Sequence, residues 1–173
     1  MRYEITKTQT TYLKYIDHAE GHRGGRIHYK NKAEFHIPEK HFDKLQVLDV
    51  HPLLQQYQEL RVELYFYEAL AEPDSFLEEC AQYVDEATSG WRNINEYINP
   101  HYNATDLLRS RHGLFFRGPV SIARGIREIF ESQSVRTSSI QGGVPNRSVR
   151  LLLMEPNYVI AEDFEFIEGL RAK

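Results

Sequence analysis

The chain has 173 residues, of which 41% are hydrophobic and 12% aromatic, and its formal net charge at pH 7 is -4. This size and apolar content predict a single folded domain over residues 1–173 and exclude a chain that is disordered throughout. The acidic balance excludes a protein that coats nucleic acid through bulk positive charge, and no run of roughly 18 apolar residues is present to cross a membrane.

Cysteine use and the N-terminus predict a compartment. Cys80 is the single cysteine, so no intrachain disulfide can form, and the chain lacks the disulfide framework of a small secreted domain. Residues 1–5 carry charges where a signal peptide needs an apolar run. We therefore expect a cytoplasmic protein without a membrane partner.

The first third of the chain predicts strands. Residues 1–5 alternate apolar and polar side chains, which is the two-residue period of a half-buried strand, and residues 12–16 continue or pair with it. Residues 26–29 and 33–37 flank a short polar turn and predict a hairpin.

The middle of the chain predicts a strand followed by a helix. Residues 60–67 alternate most clearly and indicate a strand with one apolar face. Ser75 and Glu78 have the spacing of a helix N-terminal capping box. Apolar side chains then recur every three or four residues until Gly90, which predicts a helix with one buried side.

Shorter elements are expected beyond residue 100. Residues 103–109 predict a short helix, residues 113–117 predict a strand, and Pro119 favours the start of a second long helix. Residues 132–148 are polar and show no periodicity, which indicates a long loop.

The C-terminal residues predict a hairpin, with arms at 149–154 and 158–167. Strands at both ends of the chain and helices between them differ from the regular strand–helix alternation that builds a parallel sheet. The sequence therefore predicts an α+β fold, with a mostly antiparallel sheet and two main helices packed on one of its faces.

An arginine-rich stretch is the main candidate site. Residues 109–150 contain eight arginines and two glutamates, interleaved with aromatic residues. Guanidinium groups bind phosphates and carboxylates through paired hydrogen bonds, and aromatic rings stack on bases. The residues assigned to ligand binding are Arg109, Arg111, His112, Arg117 and Arg147. The simpler interpretation is that Phe115 and Phe116 belong to the core and that the helical arginines are solvated.

Two functions fit these observations. The first is a non-enzymatic binding domain that self-associates, as a homodimer, through a sheet edge or the face bearing Tyr65 and Tyr67, and that recognises an anionic, phosphate-bearing partner or nucleic acid. The alternative is an enzyme that acts on a phosphorylated or nucleic-acid substrate, with His112 as acid or base. Neither a P-loop nor a dinucleotide fingerprint is present, so no cofactor is predicted.

Histidines near the N-terminus raise the question of a metal site. His18 and His22 would share one face of a helix, which is half of a metal-binding arrangement, but Gly21 interrupts the segment. Exposed or hydrogen-bonded histidines are the favoured interpretation, and no metal site is assigned.

Overall fold

The described part of the chain, in a computed structural model, comprises residues 2–4, 12–17, 23–39, 42, 44–143 and 148–171. The strands are β1 Arg2–Glu4, β2 Tyr12–Asp17, β3 Arg23–Lys30, β4 Glu34–His36, β5 Gln46–Leu48, β6 Arg61–Phe66, β7 Gly113–Pro119, β8 Thr137–Gln141, β9 Arg150–Met154, β10 Asn157–Ala161 and β11 Asp163–Arg171. The helices are α1 Gln55–Gln58, α2 Pro73–Thr88, α3 Ala104–Arg109 and α4 Val120–Ser132, with 3-10 turns at Pro52–Leu54 and Ile94–Glu96.

Helices and antiparallel sheets together confirm the predicted α+β class. Every strand pair in the described ranges is antiparallel, and the strands form three sheets. None of the helices in those ranges combines the length and apolarity that a membrane crossing requires. The chain divides into two compact units, residues 1–54 with 147–173 and residues 55–146. A single domain over residues 1–173 stays a prediction.

The first unit contains two four-stranded sheets, in the orders β1-β2-β3-β11 and β4-β10-β9-β5. The hairpin expected at 26–29 and 33–37 is wrong, because β3 and β4 lie in different sheets. After β3 the chain turns at Asn31, and the backbone N–H of Ala33 donates to the carbonyl of Ile160 in β10. Pairing with the C-terminal strands therefore replaces the local hairpin.

The C-terminal hairpin is confirmed for its first two strands. β9 and β10 pair from Asn157–Met154 to Ala161–Arg150, and β11 then leaves this sheet to pair with β3. One apolar cluster contains side chains from both sheets of this unit; its buried members are Ile27, Phe42, Leu152, Met154, Val159, Ala161 and Phe164.

The second unit contains a three-stranded sheet, ordered β7-β6-β8, with helices on one face. The alternation of residues 60–67 is confirmed, since Val62, Leu64 and Phe66 are buried in the core. The Phe130 ring of α4 lies 5.8 Å from the Phe66 ring and 4.3 Å from the Phe76 ring of α2. Aromatic packing of this kind joins both main helices to the sheet.

A β-bulge explains why two consecutive phenylalanines are both buried. The register between β6 and β7 passes from Leu64–Phe116 to Tyr65–Leu114, which leaves Phe115 as an extra residue. A regular strand would place neighbouring side chains on opposite faces, whereas a bulge disrupts that alternation. Phe115 and Phe116 are both fully buried, so their assignment to the core is confirmed.

One predicted helix cap and one predicted loop in this unit are wrong. α2 begins at Pro73 after Glu72, so Ser75 and Glu78 lie inside the helix and no side chain caps its start. The loop expected at 132–148 contains β8, whose five residues pair with β6. β8 escapes the periodicity test because it lies at a sheet edge and most of its side chains are polar.

Candidate anion-binding site

The sequence-assigned site residues that the structure describes lie at different places along the second unit. Arg109 ends α3, where its Nη1 is 4.0 Å from the carboxylate of Asp106. Arg111 and His112 are exposed between α3 and β7. Arg117 lies on β7, and Arg147 lies outside the described residues.

His112 and Arg117 lie far apart along the chain. His112 precedes the first residue of β7, whereas Arg117 lies near the end of that strand. At about 3.3 Å per residue, five positions along an extended strand separate the two by roughly 16 Å. Arg117 lines a pocket. The ligand-binding assignment of the set stays a prediction.

A pocket of about 360 Å³ adjoins Arg117. We call it the β6–β7 pocket; it is lined by Arg61, Glu96, Tyr97, Ile98, Asn99, Pro100, His101, Leu114 and Arg117. Two guanidinium groups and an imidazole thus border one cavity together with apolar side chains. Ligand pockets of small molecules typically occupy about 300–1,000 Å³.

Strand register brings the two arginines to this pocket. Arg61 pairs with Pro119 and Glu63 pairs with Arg117, so alternate residues of β6 and the end of β7 share the face opposite the helices. The backbone N–H of Arg117 donates to the carbonyl of Tyr97 at 2.8 Å, which fixes residues 96–101 beside β7. The pocket is therefore built from segments that are distant in sequence.

The two arginines differ in their partners. Nη2 of Arg117 lies 2.7 Å from Oε1 of Glu63, and the Tyr65 hydroxyl donates to Oε2 of the same carboxylate at 2.9 Å. This hydrogen bond raises the pKa of Tyr65, which keeps the phenol neutral. Within the described residues, no carboxylate pairs with Arg61. Among the described residues, the positive charge of Arg61 is therefore not paired with a carboxylate.

Glu96, the acidic residue that lines the pocket, already accepts hydrogen bonds from two other residues. Oε2 of Glu96 accepts from Nη1 of Arg92 at 2.9 Å, and Oε1 accepts from the backbone N–H of Asn93 at 3.0 Å. The opposite wall is also held in place, since Asn99 Oδ1 accepts from the backbone N–H of His101 at 3.1 Å. Because Glu96 is paired with Arg92, it offsets little of the charge of Arg61.

Most other arginines in the cationic stretch have partners of their own. Arg136 pairs with Glu68 at 2.8 Å, and Arg150 pairs with Asp49 at 2.7 Å. Arg127 donates to the Ser139 hydroxyl at 2.7 Å. These arginines therefore make separate contacts, whereas Arg61, which has no carboxylate partner among the described residues, lines the β6–β7 pocket.

Sequence reasoning missed Arg61 and His101. The alternation of residues 60–67 places Arg61 on the polar side of its strand. This pattern carries no information about which residues of other segments lie next to Arg61. The signal that links Arg61 to Arg117 is strand register, which is a property of the fold.

Cys80 does not line the β6–β7 pocket. His18 and His22 lie outside the described residues. Across the described ranges, no group of three or more His, Cys, Asp or Glu side chains is arranged to hold a metal ion. Cys80 is fully buried on α2, and burial raises the pKa of its thiol.

Comparison with known proteins adds no assignment. Models of known protein families, characterised proteins and solved structures give no match to this chain. A function is therefore inferred from the geometry and charge of the β6–β7 pocket.

Proposed function

We propose that the protein is a non-enzymatic binding domain that holds a phosphate-bearing ligand in the β6–β7 pocket. The observation that carries this proposal is the guanidinium of Arg61, which has no carboxylate partner among the described residues and lines the same cavity as Arg117. A guanidinium matches the geometry of a phosphate and binds it through two parallel hydrogen bonds. An anion there would complete the charge balance.

The apolar wall favours an organic phosphate over the bare ion. Tyr97, Ile98 and Leu114 line the cavity beside the two arginines. Binding pockets for small organic molecules usually combine such apolar surface with a few oriented polar groups. The ligand class is therefore a small organic molecule that bears phosphate, and pyrophosphate serves as a probe of its charged part.

The enzymatic alternative has less support. His112, its acid or base, is exposed and lies roughly 16 Å along the chain from Arg117. A general acid or base must reach the reacting atom directly or through one water. His101 lines the β6–β7 pocket, but no nucleophile–base pair is apparent among its lining residues.

Calorimetric titration with pyrophosphate at low ionic strength tests the pocket. Truncating Arg61 or Arg117 to alanine removes a charge-assisted contact worth about 1.5–3 kcal/mol, so each variant should bind about tenfold more weakly or worse. Arg111→Ala is the matched control, because it removes an exposed arginine of the same stretch from outside the pocket. Its affinity should equal that of the unaltered protein.

Two results would overturn the assignment. An equal loss in R111A and R61A would show attraction by overall charge, without a defined site. Pyrophosphate binding that is unchanged in R61A and R117A would place the ligand elsewhere. Thermal unfolding of each variant checks that the fold is retained.

Self-association and cellular location complete the proposal. The protein is proposed to be a homodimer, and the sheets of both units offer edges through which strands can pair.

A cytoplasmic location stays a prediction, supported by the lone thiol of Cys80.

A further inference from the structure

Tyr65 extends the surface of the β6–β7 pocket along β6. It pairs in register with Leu114 of β7, and Leu114 lines the pocket. Burial along β6 alternates, so Tyr65 lies on the same sheet face as Arg61 and Glu63. An aromatic side chain therefore follows directly after the apolar wall that borders the two arginines of the pocket.

One carboxylate holds both a cation of the pocket and this aromatic ring. Oε1 of Glu63 lies 2.7 Å from Nη2 of Arg117, and Oε2 accepts a hydrogen bond from the Tyr65 hydroxyl at 2.9 Å. Because the hydroxyl reaches a residue two positions earlier on the same face, the Tyr65 side chain extends along the strand instead of standing away from the sheet. The Arg117 guanidinium and the Tyr65 ring are therefore fixed relative to each other.

The Tyr65 side chain is accessible to a ligand. It is half-buried, whereas Tyr97, the tyrosine that lines the pocket, is 5% exposed and its ring packs 5.4 Å from the ring of Phe116. Flat bases stack on accessible aromatic side chains, and this stacking tolerates different bases because each base has a π-face. Tyr65 can therefore receive a base, whereas the ring of Tyr97 is covered.

The spacing of the cation and the ring suits a nucleotide. Arg117 pairs with Glu63, and Tyr65 lies two residues beyond Glu63, about 7 Å along an extended strand. The sugar of a nucleotide separates its phosphate from its base by a length of this order. A phosphate bound at Arg61 and Arg117 thus leaves the base within reach of the Tyr65 ring.

We propose that the ligand of the β6–β7 pocket is a free nucleotide, whose phosphate binds Arg61 and Arg117 and whose base stacks on Tyr65. This inference rests on the proposed phosphate site and deepens it by naming the organic part of the ligand. The apolar side chain of Leu114 lies between the two contacts and faces the sugar.

The charge of the sheet face favours a free nucleotide over a single strand. Proteins that bind single strands provide positive charge along the whole path of the backbone. Beyond Tyr65, the backbone N–H of Tyr67 donates to the carbonyl of Arg136, and the guanidinium of that arginine is paired with Glu68 at 2.8 Å. The chain as a whole has a net charge of -4. The arginine without a carboxylate partner among the described residues is Arg61, at the pocket.

Calorimetric titration with two ligands of matched charge tests the inference. Adenosine monophosphate and ribose phosphate, phosphorylated at the same hydroxyl, differ in the base alone. Base stacking on an aromatic side chain corresponds to roughly five- to 150-fold in affinity. At low ionic strength the nucleotide should therefore bind the unaltered protein at least about fivefold more tightly than the sugar phosphate. Equal affinities would overturn the inference.

The ratio of the two affinities is the readout for each variant. Tyr65→Leu removes the ring and should abolish the preference for the nucleotide, whereas Tyr65→Phe keeps the ring and should retain it. Tyr67→Leu is the matched control, because it removes a tyrosine that is 48% exposed and lies two residues further along the same face. Its ratio should equal that of the unaltered protein. A preference that survives in Y65L, or that is lost in His101→Ala instead, would place the base elsewhere.

Arg61→Ala separates this inference from the proposed function. Loss of a phosphate contact should weaken both ligands by the same factor and leave their ratio unchanged. If both ligands weaken in R61A but bind the unaltered protein equally, the phosphate site stands and the nucleotide inference fails. If neither ligand weakens in R61A, the phosphate site itself is contradicted. A single-stranded oligonucleotide that binds more tightly than adenosine monophosphate would contradict the choice of a free nucleotide.

Discussion

Arg117 and Glu63 form an ion pair across neighbouring strands, with 2.7 Å between Nη2 and Oε1. The arginine side chain is 58% exposed and the glutamate side chain is 30% exposed. The carboxylate therefore competes with any anion that enters the β6–β7 pocket. The pair also fixes where the Arg117 guanidinium lies.

Replacing Glu63 by glutamine should strengthen anion binding. The change removes a negative charge that disfavours the binding of an anion by about 1 kcal/mol. Pyrophosphate affinity should therefore rise about fivefold. Calorimetric titration at low ionic strength measures this change. Glu131→Gln is the control, because it removes an exposed carboxylate that does not line the pocket. Weaker binding in E63Q would mean that Glu63 positions Arg117 more than it competes for it.

Gly118→Ala should destabilise the second unit and disturb the pocket wall. A Cβ at this position would lie 2.6 Å from Cζ of Phe116 and 2.7 Å from Cδ1 of Tyr97, and Tyr97 lines the pocket. Overpacking of this kind costs about 1–3 kcal/mol of unfolding free energy. At Gly143 an added Cβ would have no neighbouring atom within 4 Å. Gly143→Ala should therefore change the unfolding free energy by less than about 0.5 kcal/mol. Equal denaturation midpoints for both variants would contradict the packing at Gly118.

Cys80 should resist alkylation in the native protein. Burial raises the pKa of its thiol, and the thiolate is the form that reacts. The rate of labelling by iodoacetamide should therefore follow the opening of the core around α2, with fast, complete reaction in denaturant. Because the chain has one cysteine, mass spectrometry reads this site directly. Rapid labelling without denaturant would show that α2 does not bury the thiol.

Glu68 should make stability depend on acidic pH. The backbone N–H and the guanidinium of Arg136 hydrogen-bond to its carboxylate and lower its pKa below the ordinary value of 4.5. A lowered native pKa adds stability that is present above pH 4.5 and is lost as the pH falls through the native value. The unfolding free energy should therefore fall more steeply with acid in the unaltered protein than in Glu68→Gln. Parallel curves would indicate that this contact is not maintained in solution.

Periodicity predicted the elements that bury one side. Apolar side chains at every second residue predict β6, and apolar side chains at every third or fourth residue predict α4. Val62 and Leu64 of β6 and Ile126 of α4 are buried, as these patterns require. β8 was missed because its stability comes from backbone pairing with β6, which leaves little trace in an edge strand of mostly polar residues. Local pattern therefore accounts for the core but not for the sheet edge.

The pocket could not be predicted from one sequence for a related reason. Arg61 and Arg117 line one pocket because β6 and β7 pair in one register. The arginines near residue 111 are dense in sequence, but Arg109 ends α3 whereas Arg117 lies on β7. Density along the chain is a weak guide to convergence when residues lie on an extended strand.

The phosphate site in the β6–β7 pocket is tested most directly by an NMR titration that follows the arginine side-chain Nε–Hε resonances as pyrophosphate is added. Saturable changes in chemical shift are expected for Arg61 and Arg117, and the resonances of Arg109 and Arg111 should not move at the same pyrophosphate concentration. Shifts confined to Arg109 and Arg111, or small shifts spread evenly over all arginines, would contradict a phosphate site in the β6–β7 pocket.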